Sequence, residues 1–139
     1  MYNIEKKDYG YKMTFSGSLT KEEMAEWLEK IEKILPGEQE SFAILMDIRK
    51  LQPVSQVVQK FFRRGQMLLE KQGMVRSAIV FDSPAIVMQF KRLAIQSEIF
   101  DKERYIDTSS TLQWEDASNG WVTESIEPTI YTGQIAKKF

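Results

Sequence analysis

Along the first fifteen residues the apolar side chains fall on alternate positions: Tyr2 and Ile4, then Tyr11, Met13 and Phe15. A period of two puts each run on one face of a strand. Asp8-Tyr9-Gly10 between the runs supplies a turn, so the opening predicts an antiparallel pair. From Thr20 the period changes. Thr20-Lys21-Glu22-Glu23 is a capping box, in which hydroxyl and carboxylate each accept the other residue's backbone N–H. Met24, Trp27, Leu28, Ile31, Ile34 and Leu35 then follow at helical spacing, with Pro36-Gly37 as the expected stop.

Phe42-Ala43-Ile44-Leu45-Met46-Asp47-Ile48 is apolar on both parities until Asp47, the pattern of a parallel strand covered on both faces. Its faces differ in size, Phe42, Ile44, Met46 and Ile48 against Ala43 and Leu45. Pro53 fits the first turn of a second helix, whose stripe runs through Val54, Val57, Val58, Phe61, Phe62, Met67, Leu68 and Leu69 to Gln72-Gly73. Gly65 inside it costs about 1 kcal/mol relative to alanine, which predicts a close approach by a neighbour. Ala78-Ile79-Val80-Phe81 reads as another buried strand. Ser83 and Pro84 then cap and open a third helix, which carries Ile86, Val87, Phe90, Leu93, Ala94 and Ile95 and ends near Phe100. Arg104–Asp107 is a short last strand, and Thr108-Ser109-Ser110 is expected to cap a final helix with Leu112, Trp114, Ala117 and Trp121. The order β-β-α-β-α-β-α-β-α predicts an α/β fold with a mostly parallel sheet of about five strands and an antiparallel N-terminal edge.

Several of these stretches together resemble a SpoIIAA-like, or STAS-like, domain. They are Phe15-Ser16-Gly17-Ser18-Leu19-Thr20-Lys21-Glu22-Glu23, Leu45-Met46-Asp47-Ile48-Arg49, Ala78-Ile79-Val80-Phe81-Asp82 and the closing Glu115-Asp116-Ala117 with Trp121-Val122. The resemblance covers residues 1–122 and leaves 123–139 as a C-terminal tail. It implies a β-α superhelix with helices mainly on one face, and a non-catalytic interaction or regulatory module that binds another cytosolic protein. The same broad fold serves lipid carriers, so the alternative is a carrier or sensor of a small apolar or amphipathic ligand. Antagonists of this family carry a phosphorylated serine in an Asp-Ser-Ser-Gly-type motif. Here the region reads Asp47-Ile48-Arg49-Lys50-Leu51-Gln52-Pro53-Val54-Ser55, and Ser55 is its one hydroxyl, hence the candidate phosphorylation site.

Composition narrows the chemistry. The 139 residues include no cysteine and no histidine, which removes disulfides, thiolate metal sites and the side chain most used for acid–base work. No metal or cofactor is expected. The longest apolar run is about five residues, far short of the roughly 18 that suggest a membrane span, and a cytoplasmic location is the expectation. A net charge of −1 gives no general reason to expect nucleic acid as a partner. The charge is unevenly spread, however: residues 20–40 carry three lysines and seven glutamates, and residues 53–76 carry five basic residues and one acidic.

Three places could carry a function. Asp47 and Asp82 end neighbouring strands at the edge where open α/β sheets bind ligands, with Arg49, Lys50, Ser55 and Ser83 nearby in sequence. Aspartates and serines there also serve as ordinary helix caps. Phe61, Phe62, Gly65 and Phe90 could line an apolar pocket, although helical stripes of this kind normally pack a core. Finally, the small sheet face, Ala43, Leu45, Ala78 and Val80, is left open if the helices cover only the large one. Ile126, Ile130, Tyr131, Ile135 and Phe139 of the tail are then expected to cover it, within the chain or by exchange in a homodimer.

Overall fold

The computed structural model describes residues 1–35 and 40–128. Five strands form one sheet in the order β1-β2-β3-β4-β5: Tyr2–Lys7, Gly10–Gly17, Phe42–Leu51, Met74–Phe81 and Glu103–Asp107. The first pair is antiparallel, with Tyr2 opposite Phe15, and every later pair is parallel. The helices are α1 (Lys21–Ile34), α2 (Gln56–Gln72), α3 (Pro84–Gln96) and α4 (Trp114–Glu124). This is the α/β class expected from the alternation of periods. The Thr20 capping box forms, with the Glu23 N–H donating to Thr20 Oγ1 at 3.1 Å and the Thr20 N–H donating to Glu23 Oε1 at 3.0 Å.

Sheet parity divides the interior in two. Met13, Phe15, Ile44, Met46, Ile48 and Ile79 point to one side, where α1, α2 and α3 bury them. Ala43, Leu45, Ala78, Val80 and Ile106 point to the other, beneath Trp121 and Val122 of α4, with Trp114 and Ala117 alongside. The Trp121 indole N–H donates to the Ser77 carbonyl at 2.9 Å, so the helix is fixed by a directional bond as well as by area.

The apolar part of the small face is therefore covered by the last helix. Among the described tail residues Ile126 is exposed, and Ile130, Tyr131, Ile135 and Phe139 lie outside the described residues. Helix α4 runs two residues past the expected domain limit at 122. It also starts later than expected. Thr108–Ser110 form a turn on Asp107, whose carboxylate accepts the Ser109 N–H at 2.9 Å, and Leu112 is 96% exposed. Pro53 lies ahead of α2 instead of in its first turn, because Ser55 is the cap and accepts the Val58 N–H at 3.2 Å. Helix α3 ends at Gln96, where Glu98 turns the backbone at φ 61° before a 3-10 turn at Phe100–Lys102. The expected stop at Pro36-Gly37 lies outside the described residues.

Two glycines mark close approaches. Gly10 adopts φ 148° at the turn into β2, and a Cβ there would stand 2.1 Å from the Ala43 carbonyl oxygen. Gly65 is the mid-helix glycine, and its missing side chain admits the ring of Trp27 from α1: a Cβ would lie 2.1 Å from Trp27 Cη2. Around that contact four rings interlock, Phe15–Trp27 at 5.6 Å, Phe15–Phe62 at 4.9 Å and Phe62–Phe90 at 4.9 Å between centroids. Edge-to-face pairs of this kind add roughly 0.5–1.5 kcal/mol each beyond area burial.

Gly65→Ala should therefore destabilise the chain by about 1–3 kcal/mol through overpacking, although alanine is the better helix former. Urea unfolding is the check, and a variant as stable as the parent would contradict the tight α1–α2 contact.

Candidate functional site

The carboxyl ends of β2 and β3 carry the densest group of the expected site residues. On β3, Asp47 and Arg49 share the small-face parity, next to Thr14 of β2, which pairs with Asp47 in register. Arg49 donates from Nε to Asp47 Oδ1 at 3.0 Å and from Nη2 to Oδ2 at 2.8 Å, a bidentate fork. Its backbone N–H adds a third bond to Oδ1 at 3.1 Å. Burial pushes the Asp47 carboxyl up, but these bonds and the cation outweigh it and hold the carboxyl below its ordinary range. The other face of the guanidinium lies 4.4 Å from the ring centroid of Trp114 at the start of α4, a cation–π contact. Arg49 is thus fixed from two sides while remaining about a third exposed, with 36% of its side chain open to solvent.

Beside it, Thr14, Phe15, Ser16, Asp47, Arg49 and Lys50 line a recess of about 300 Å³. Asp82, at the end of β4, and Glu115 of α4 both act electrostatically on Arg49. The arrangement offers one oriented planar cation, a second cation on Lys50 and two hydroxyls, a set suited to holding a carboxylate or another oxygen acceptor. The two candidate serines stand at the same sheet edge but over the opposite face, at the N-termini of α2 and α3. Ser55 is exposed and its oxygen is used as a cap. Ser83 caps α3 by position, without a side-chain hydrogen bond.

The expected apolar pocket is core. Phe62 and Phe90 have no solvent exposure, the space beside Gly65 is filled by Trp27, and Phe61 packs at the margin with Arg64 5.8 Å from its ring.

One polar constellation went unnoticed in the sequence. Glu103 opens β5 at the opposite end of the sheet and is buried, with no cation paired to it among the described residues. Ser77 Oγ and Tyr105 Oη each donate to it at 2.7 Å. Desolvation pushes its carboxyl from 4.5 up to about 7, against the pull of those two bonds. The burial and the Glu103 charge together push the Tyr105 phenol up. The available signal was parity: Glu103 and Tyr105 alternate on one face of a short strand, which that face then carries into the core.

Comparisons of the chain with protein-family models, with curated proteins and with solved structures each return no match.

Two predictions follow from these environments. Replacing Ser55 by alanine should cost about 1 kcal/mol by removing a working cap, whereas Ser83→Ala should stay within about 0.5 kcal/mol; equal losses in chemical denaturation would refute the distinction. For Glu103, the folded carboxyl binds its proton more tightly than the unfolded one. Its contribution to stability is complete below pH 4.5 and is lost as pH rises through about 7. Glu103→Gln should flatten that slope and stabilise the chain near pH 8 by on the order of 3 kcal/mol. Thermal melts across this range in parent and variant decide it, and parallel pH profiles would rule the buried carboxyl out as their cause.

Proposed function

We propose that the chain is a STAS-like, non-catalytic interaction module, docking another cytosolic protein through the Arg49–Trp114 end of its sheet. The observation that carries this reading is the preorganised guanidinium. Arginine and tryptophan dominate the energetics of protein interfaces, chiefly where they are already held rigid and little side-chain entropy remains to be lost on binding. Arg49 meets both conditions, clamped by Asp47 and laid on Trp114. Lys50 next to it is exposed, and the recess between Thr14, Ser16 and Lys50 gives a partner's carboxylate or backbone carbonyl a place to enter. The position, at the carboxyl ends of parallel strands, is where open α/β sheets commonly place their ligands.

Affinity capture from native cells with the intact chain, repeated with Arg49→Lys and Lys50→Glu, tests the reading. Arg49→Lys keeps the charge but removes the fork, and Lys50→Glu alters an exposed side chain with little effect on the fold. A specific partner should be retained by the parent and reduced about tenfold or more by each change. Recovery of no partner, or of one held equally by all three chains, would sink the proposal.

A further inference from the structure

The outward faces of α2 and α3 carry a pattern that the Arg49 site does not use. These helices lie side by side over the large face of the sheet. Together they hold six basic residues, Lys60, Arg63, Arg64, Lys71, Lys91 and Arg92, against one acidic residue, Glu70. Glu70 is itself engaged by Lys102 Nζ at 2.5 Å. Apolar side chains stand out among the cations. Met67 is 50% exposed, Met88 52% and Ile95 60%, with Val57 at the N-terminal end of α2 comparably open. Spacing groups them. Lys60, Arg63, Met67 and Lys71 follow one another at three or four residues on α2, and Met88, Arg92 and Ile95 do the same on α3, so each set forms one stripe.

We infer that this α2–α3 face is a peripheral docking surface for anionic lipid bilayers. Charge complementarity argues for an anionic partner, since a lysine or arginine near an anionic leaflet contributes on the order of 1 kcal/mol. Apolar content selects among anionic partners. Methionine and isoleucine protruding between long cations match an interface in which apolar tips enter the acyl boundary while charged ends meet headgroups. Neutralising nucleic-acid phosphates would use the cations alone and leave those apolar tips without a role. The acidic α1 of a second copy is a poor match too, since it exposes Glu22, Glu26, Glu29 and Glu32 but no large apolar side chain to meet Met67, Met88 and Ile95.

The inference is independent of the Arg49 reading, because vesicles contain no protein partner. The test is flotation of the full chain with unilamellar vesicles of phosphatidylcholine alone and of phosphatidylcholine mixed with an equal part of phosphatidylglycerol. The chain should float with the mixed vesicles only, and binding should fall steeply with added salt. Two variants separate the contributions. The triple change Lys60→Glu, Arg63→Glu and Arg92→Glu should lower partitioning at least tenfold. Met67→Ser with Ile95→Ser should lower it several-fold at unchanged charge. Circular dichroism melts verify that each variant is folded, and an Arg64→Gln chain serves as a milder substitute if the triple change is not. No flotation with the anionic vesicles, or flotation unchanged in every variant, would overturn the inference. So would loss of a captured protein partner in the charge-reversed chain while neither chain floats, which would assign the face to a protein.

Discussion

Trp27 lies against the bare backbone of Gly65, and the large-face core is organised around that contact. Without a Cβ at Gly65, α1 and α2 approach closely enough for the indole to reach under α2 and meet Phe15 and Phe62. Phe62 passes the packing on to Phe90 of α3. One absent methyl thereby links three helices and strand β2 through a continuous set of rings. A glycine at this point gives up roughly 1 kcal/mol of helix propensity, and the ring contacts it permits more than offset that loss. The same contact fixes how α2 is rotated about its axis. Gly65, Phe62 and Leu69 turn inward, and Lys60, Arg63 and Met67 are thereby turned outward.

The opposite face follows a different rule. Small residues, Ala43 and Ala78, let α4 sit close to the sheet, and two indoles provide most of the cover. Only part of that face is apolar. On β1 and β2 the same parity carries Asn3, Glu5, Lys12, Thr14 and Ser16, and the single helix extends over β3, β4 and β5. Arg49 and Trp114 meet where the covered half ends near the carboxyl edge. A cation there is sheltered enough to be held in place and open enough to be reached.

Element type and order were legible because the patterns switch cleanly, from a period of two at Tyr11–Phe15 to helical spacing after Thr20 and then to a run apolar on both parities at Phe42. The helix starts were less so. Proline at 53 and hydroxyls at 108–110 both satisfy general rules for a first turn, and only tertiary contacts decide that Ser55 and Gln113 take the cap position instead. Strand parity revealed that Ala43 and Leu45 needed cover, yet parity says nothing about which later segment supplies it. Asp47 and Arg49 stood out as candidates, but the stacking of Arg49 on Trp114 joins residues 65 positions apart and leaves no local trace. Glu103 was hidden for the opposite reason. A charged residue at a strand end normally reads as solvated, and its burial depends on Ser77 and Tyr105 receiving it.

The sheet order has a consequence for how the chain is made. Each strand pairs with the one before it, so during synthesis every new strand meets an edge already present, and the large-face core can assemble progressively as the ribosome advances. Closure of the small face waits for Trp121 and Val122. Until they emerge, Ala43, Leu45, Ala78, Val80 and Ile106 form an uncovered apolar strip on an otherwise assembled sheet. A ribosome paused before α4 would therefore present a nascent chain that is structured yet sticky, the kind of intermediate that chaperones recognise.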